Sequence, residues 1–367
     1  MRLIISIIKK DIVLSAAIIF ALLSMFFVKP DRKYLDYIDF RTVGLLFSLM
    51  AVVAGFTAMG VMRKVAEGII SRVKSTGMLL AVLWGLCFFS SMIITNDVSL
   101  ITFVPLAISV LTMCNKHELI IYTVVLQTVA ANLGSMLTPM GNPQNLYIFN
   151  YFNLRIGEFL IITLPVIAIS FVMLLTATLF VKNESLTVDV KNSTTAGNRF
   201  NIIMYSCLGT LCILAVLKVI DYRIAVVVTA ICLIIFDRKI LKRIDWLLLI
   251  TFCAFFIFVG NIERIEMISN FINGLMTGRE LAVSLCASQF ISNVPAAVML
   301  CGFTDNYRAL ILGTDIGGLG TLIASLASLI SFKIYSVTEG ADIKRYLGVF
   351  TLVNIVFLVM LVLFTVI

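Results

Sequence analysis

Apolar runs of about 20 residues recur along the chain, at 11–28, 42–62, 119–140, 157–181, 200–218, 222–237, 244–260, 308–333 and 345–367. A helix needs about that length to cross the hydrocarbon core of a bilayer. Each of these runs predicts a membrane-crossing helix. Two further apolar stretches, 77–113 and 280–303, behave differently. Each carries a polar tip near its middle, Thr95-Asn96-Asp97 in one and Ser292-Asn293 in the other, with short apolar arms on either side. That pattern predicts a helical hairpin that enters the membrane and returns to the same side. The alternative is two ordinary spans joined by a tight turn.

The apolar runs beyond the hairpins are themselves interrupted. In 119–150 the break runs from Asn132-Leu133-Gly134-Ser135 to Thr138-Pro139-Met140-Gly141-Asn142-Pro143-Gln144-Asn145. In 308–333 it is Thr314-Asp315-Ile316-Gly317-Gly318-Leu319-Gly320-Thr321. Proline inside a helix removes an N–H and clashes with the preceding turn, and glycine lets backbone approach a ligand closely. Backbone left unpaired at membrane depth survives only where protein or a water-filled cavity satisfies it. Two matched sets of breaks, one per half, predict a secondary transporter with its site between the repeats.

The order of features repeats. Ile38-Asp39-Phe40 opens one long span and Ile244-Asp245-Trp246 another. An amphipathic segment (63–75 or 261–276), a hairpin and a broken helix follow in each case, and the amphipathic segments suit the membrane interface. The predicted architecture is an all-α polytopic membrane protein. Its first repeat half is 1–181, its linker 182–199 and its second half 200–367. Five crossings separate the two Ile-Asp-aromatic starts, and a hairpin adds none or two. The odd number inverts the second unit, so the repeat is of inverted topology. With the N-terminus on side one, that side carries 18 Lys and Arg in its loops and the other side 10. The bias puts the N-terminus in the cytoplasm, the C-terminus outside, and the protein in the inner (cytoplasmic) membrane.

Bulk composition agrees. The chain of 367 residues is 61% hydrophobic and only 13% charged, where soluble proteins carry about a quarter. Mean hydropathy is +1.09. No stretch is large and polar enough for a separate soluble domain. The net charge of +8 lies in loops between spans, so it speaks for membrane orientation and not for nucleic acid. The N-terminal segment reads as an uncleaved first helix, because its apolar run is long and no small-residue cleavage site follows. The eight cysteines are scattered and make no C-x-x-C pair, which argues against a disulfide or zinc framework.

Where two helix ends meet at a tip, one exposes N–H groups and partial positive charge, the other carbonyls. Carbonyls and hydroxyls suit Na⁺; convergent N–H ends suit an anion. Thr95, Asn96, Asn142, Asn145, Ser292, Asn293 and Thr321 are therefore expected to bind substrate. Asn96, Asp97, Asn132, Gly134, Asn293, Asp315 and Gly318 are expected to bind the coupling cation. Asp97 and Asp315 are the two acids in the inferred interior, where a charge costs roughly 2.5–3.5 kcal/mol on insertion scales. The plainer readings are that Asp97 caps a helix and that Asp315 serves a broken backbone. No Lys or Arg falls in the same zone by sequence. His117 reads as a loop residue. There is no nucleophile–base pair, which speaks against an enzyme. There is no metal-ligand cluster, so Na⁺ or H⁺ as coupling ion is the only cofactor expected.

The tips and breaks resemble those of the ion transporter superfamily, in the branch of citrate-transporter-like and arsenite/Na⁺–H⁺ antiporter-like permeases. Thr95-Asn96-Asp97 with Val98-Ser99-Leu100 is similar to the arsenite-permease tip, and Ser292-Asn293-Val294-Pro295 to the second tip. Asn132 to Asn145 and Asp315 to Thr321, with Ser325, Ala327 and Ser328, are similar to the two broken helices. The resemblance covers nearly the whole chain. It implies a scaffold domain, a mobile transport domain, a homodimer and elevator-like alternating access. It also implies cation sites around Asn96, Asp97 and Asn132 in one half and around Asn293 and Asp315 in the other, with substrate between the tips. The related dicarboxylate symporters use Ser-Asn-Thr at both tips, and this chain does not. The expectation is cation-coupled transport of a small anion, a carboxylate or an inorganic oxyanion. The alternative is Na⁺/H⁺ exchange with no organic substrate.

Overall fold

The computed structural model describes residues 12–186 and 198–366. The N-terminal basic residues, most of the expected linker (187–197) and Ile367 lie outside the described residues. The described chain is helical. α1 (Ile12–Phe27) and the single turn α2 (Lys33–Asp36) lead into α3 (Phe40–Ala58), α4 (Val61–Ile70), α5 (Thr76–Ser90), α6 (Asn96–Met113), α7 (Ile120–Gly134), α8 (Pro143–Tyr151) and α9 (Ile156–Leu179). Beyond the linker come α10 (Arg199–Val216), α11 (Tyr222–Phe236), α12 (Trp246–Glu263), α13 (Glu266–Met276), α14 (Glu280–Ile291), α15 (Asn293–Cys301), α16 (Tyr307–Ile316), α17 (Leu326–Ser336) and α18 (Ile343–Val366). Seven of the described helices are long and apolar enough to cross a membrane, among them α3, α6, α9, α10, α12 and α18. The chain is a polytopic α-helical membrane protein.

The two sets α3–α9 and α12–α18 list the same seven elements in the same order. The match reaches single residues. Asp39 caps α3 by accepting from the Thr42 amide at 3.0 Å, and Asp245 caps α12 by accepting from the Leu248 amide at 3.0 Å. Their backbones agree, with φ −75°, ψ 85° and φ −77°, ψ 82°. An unpaired helix N–H is satisfied in each case by the side chain best suited to it.

Packing is reciprocal as well. α5 lies on α7 as α14 lies on α16, and α18 on α7 as α9 on α16. The outgoing arm α6 packs on α17, and the outgoing arm α15 on α8. Each hairpin therefore leans on the broken helix of the other half. α1 packs on α12, while α11 packs on α3.

The hairpin arms are unequal. α6 has 18 residues, about 27 Å at 1.5 Å per residue. α14 and α15 have 12 and 9, too few to cross a bilayer. The core is dense around the first hairpin. Trp84, Phe88 and Phe171 meet edge to face or tilted, and Trp84 donates its indole N–H to Thr178 at 2.9 Å. A buried indole needs such a partner.

Candidate functional site

At the first tip, Asn96 opens α6. Its amide donates to the Gly141 carbonyl in the first break at 3.1 Å, and its Nδ2 donates to Asn132 Oδ1 at 3.2 Å. At the second tip the Asn293 amide donates to the Ala324 carbonyl in the second break at 2.9 Å. The two tips are fastened to the two breaks in the same way. Ser292, between α14 and α15, holds φ 73° and ψ 152°. That region is nearly reserved for glycine and costs about 1–3 kcal/mol, a kind of strain that clusters at functional sites. Pro295 sits in the first turn of α15, where its missing N–H is harmless.

Both breaks restart alike. Asn142, extended at φ −151°, caps α8 by accepting from the Asn145 amide at 3.0 Å. Ser325, extended at φ −144°, caps α17 by accepting from the Ser328 amide at 3.1 Å. Each cap is then linked to the other half. Asn132 Nδ2 donates to Ser325 Oγ at 3.1 Å, and Asn142 Nδ2 donates to Asp315 Oδ1 at 3.3 Å. Gln144 Nε2 donates to the same Asp315 oxygen at 3.3 Å. Asn132 and Asp315 thus occupy matching places, one neutral and one acidic.

All these side chains are buried. The Asp315 Oδ2 atom, Gln144 Oε1 and both polar atoms of the Asn145 side chain lack hydrogen-bond partners. Each buried unsatisfied group costs about 1–3 kcal/mol. The clustering of such groups on Gln144 and Asn145 around the Asp315 carboxylate marks a place for a ligand. The three oxygens suit a hard cation, and protonation of Asp315 is the other way to neutralise it. Asp315 bonds side-chain amides and not the broken backbone, so it is not a backbone brace.

Asp97 lies elsewhere. Thr95 is the N-cap position of α6 but makes no side-chain cap, and Asp97 Oδ1 is buried without a partner. Asp97 is therefore not a helix cap. With Thr95 it lines a cavity of about 330 Å³ against α3, whose other polar lining residues are Thr57, Arg243 and Asp245. Arg243 was expected in a loop remote from the interior; it faces this cavity.

Gly134 and Gly318 act by size. A Cβ on Gly134 would lie 2.1 Å from the Phe88 carbonyl oxygen, and one on Gly318 2.9 Å from Asn293 Nδ2. Gly134 lets the first break press against the incoming arm α5, and Gly318 lets the second press against the tip residue Asn293. Thr321 is exposed, and its amide and hydroxyl both go to Gln289. Gln289 also donates to the carbonyls of Gly317 (2.7 Å) and Leu319 (2.8 Å), so one side chain satisfies most of the second break. Gln144, Gln289 and Ser325 were not predicted as site residues. The spacing Asn142-x-x-Asn145 against Ser325-x-x-Ser328 is the signal that relates the two caps.

Comparison with known proteins gives a consistent result. The sequence pattern of the citrate transporter family matches residues 3–307. The chain is 31% identical over 333 residues to an uncharacterised transporter of Methanocaldococcus jannaschii, covering 89% of each. It is 27% identical over 319 residues to the inner membrane protein YbiR of Escherichia coli, covering 85% of this chain and 84% of YbiR.

Proposed function

This chain belongs to the citrate transporter family, and from that premise we propose that it is a secondary transporter of a small anion, a carboxylate or an inorganic oxyanion. The carrying observation is the Asp315 cluster, an enclosed carboxylate ringed by amide side chains with unsatisfied oxygens. Na⁺ or H⁺ bound there is the coupling ion. Four helices, α6, α8, α15 and α17, begin at the tips and breaks and pack in two pairs. Their N-terminal ends favour negative charge, which suits an anion held between the tips. Asn96, Asn142, Asn145, Ser292 and Asn293 are its contacts, with Thr95 and Thr321 farther out.

The reciprocal packing supports an inverted repeat with two re-entrant hairpins. It supports a scaffold of α1, α3 and α10–α12 against which the hairpins and breaks move as an elevator. We place the protein in the cytoplasmic membrane as a homodimer with its N-terminus inside. An inside-negative potential opposes anion entry by about 2.3 kcal/mol per charge at 100 mV, so uptake of a dianion needs at least two co-ions. Asp97 and Asp315 are the two places for them.

A second reading, Na⁺/H⁺ exchange without an organic substrate, is favoured by one observation: among the described residues no basic side chain bonds Asp315. Reconstituted vesicles separate the two. The first reading expects uptake of labelled citrate, succinate, sulfate or arsenite driven by a Na⁺ or proton gradient. It also expects Asp315→Asn to lose the cation dependence while the protein still inserts. Sodium-driven proton movement with all four anions absent would replace it with the second.

A further inference from the structure

The cavity beside the first tip is bounded by Leu46, Met50, Ala54 and Thr57 of α3, by Thr95 and Asp97 at the tip, and by Arg243 and Asp245 before α12. Pro143 forms part of its wall, and Pro143 adjoins both Asn142 and Gln144 of the Asp315 cluster. The cavity therefore ends one residue from the enclosed site. Its outer residues, Arg243 and Asp245, are exposed, whereas Asp97 is only partly accessible. It is a passage with a wet mouth and a carboxylate at its floor.

The charges in it are few and unequal in engagement. Asp245 is committed to capping α12. Arg243 is the one basic side chain lining the cavity, and it makes no ion pair or side-chain hydrogen bond with any described residue. Asp97 Oδ1 is buried and unpartnered. An unpaired guanidinium presents a planar fork of N–H donors that matches a carboxylate or oxyanion. Two carboxylates against one guanidinium leave the passage net negative while Asp97 is ionised, which repels an anion. Neutralising Asp97 cancels that excess and leaves the helix N-termini at Asn96 and Pro143 to set the sign.

We infer that this cavity is the port through which the anion reaches the site, that Arg243 is its specificity-determining anion contact, and that the port admits an anion only after a cation has neutralised Asp97. The inference rests on the proposed anion transport. It adds an order, cation before anion, and a residue outside the tips and breaks. A single acid serves this role because the matching position at the second tip is Val294.

Charged thiol reagents test the port without needing the substrate. A cysteine introduced at Thr57 is modified in reconstituted vesicles by the anionic sulfonatoethyl and the cationic trimethylammonioethyl methanethiosulfonates. Rates are taken above the parent protein, whose exposed Cys207 and Cys286 set the background. Arg243→Gln should lower the ratio of anionic to cationic rates about fivefold, and Asp97→Asn should raise it about fivefold. Arg243→Lys, which keeps the charge and loses the fork, should leave the ratio near the parent value yet raise the KM for the transported anion. An unchanged ratio in both Arg243→Gln and Asp97→Asn overturns the port. The cation should raise the anionic-to-cationic ratio in the parent and not in Asp97→Asn, and a cation that raises it equally in both overturns the order. If no tested anion is transported by the parent protein, the functional reading fails, and the reagent ratio still decides whether Arg243 and Asp97 control entry.

Discussion

Two glycines of the first break show how little room single positions have. A Cβ on Gly134 would fall 2.1 Å from the Phe88 carbonyl, and one on Gly141 2.2 Å from the Ser135 carbonyl. Both obstacles are backbone, which has no rotamer to swing away. Gly134→Ala and Gly141→Ala should each lower stability by about 1–3 kcal/mol, the range for overpacking. They should also weaken binding at the Asn96–Asn132 contact. Gly68 in α4 meets nothing within 4 Å, and Gly68→Ala should raise stability by about 0.5–1 kcal/mol. Thermal unfolding in detergent measures all three. A Gly134→Ala protein as stable as its parent would mean the first break and α5 are not pressed together. At this scale the sequence is legible where a residue type is out of place. Asp315, Asn132 and Asn96 stand out in apolar surroundings, and the structure joins them through direct hydrogen bonds to Asn142, Ser325 and one another. Gln144 and Gln289 were not legible. A neutral amide in a polar break carries no sign of which carbonyl or carboxylate it will serve. Thr321 shares its motif with Asp315 yet is exposed, and its amide and hydroxyl both donate to Gln289.

Helices were legible from hydropathy because burial in lipid fixes their length and apolar character. The spacing between tip and break, 36 residues from Asn96 to Asn132 and 22 from Asn293 to Asp315, was not explained by it. The difference lies mainly in the outgoing arm, since α6 is twice the length of α15. The start of the linker was also opaque. Residues 182–186, expected as plain linker, are tied to the base of the first hairpin. Ser75 and Ser185 form an antiparallel bridge, the Thr76 amide donates to Glu184, and the Gly77 amide donates to the Asn183 side chain. Lys116 reaches across to Glu184 at 2.5 Å, and Lys182 lies 3.2 Å away. A hydrogen bond from Lys116, then one from Lys182, holds the Glu184 carboxyl below its ordinary value of 4.5. A carboxylate lowered in the folded state stabilises while ionised, above its ordinary pKa, and ceases to as pH falls through its folded value. Amides of 74–77 should therefore exchange hydrogen more slowly in the parent than in Glu184→Gln at pH 7. The two proteins should converge in acid, as the pH falls through that lowered folded-state value. A difference that persists in acid would assign the tie to the backbone bridge alone.

Over the whole molecule the two halves match in element order and in most packing, but not where they meet α3 and α12. α8 lies against α3 and α15 against α12. Tyr147 stacks near Phe256 at 5.2 Å, and Asn150 Nδ2 donates to Thr42 Oγ1 at 3.0 Å. On the α6 and α17 side, the cavity with Asp97 and Ile330 in its wall stands between the tip and α3. Under the proposed alternating access this arrangement is one of two, and the second is reached when the α8–α15 face parts and the α6–α17 face seals. The parity of the spans predicts inverted halves, whereas which face is closed depends on contacts no periodicity reports. If transport requires the exchange, holding Thr42 to Asn150 must stop it. Thr42→Cys/Asn150→Cys, bridged by mercuric ion, should lose uptake while each single variant keeps it, and thiol chelation should restore it. Modification of a third cysteine at Thr57 should continue in the bridged protein, since the open face is the one being held. Uptake that survives the bridge would show that the α8–α15 face never opens during the cycle, and that the anion crosses with the scaffold and hairpins fixed in place.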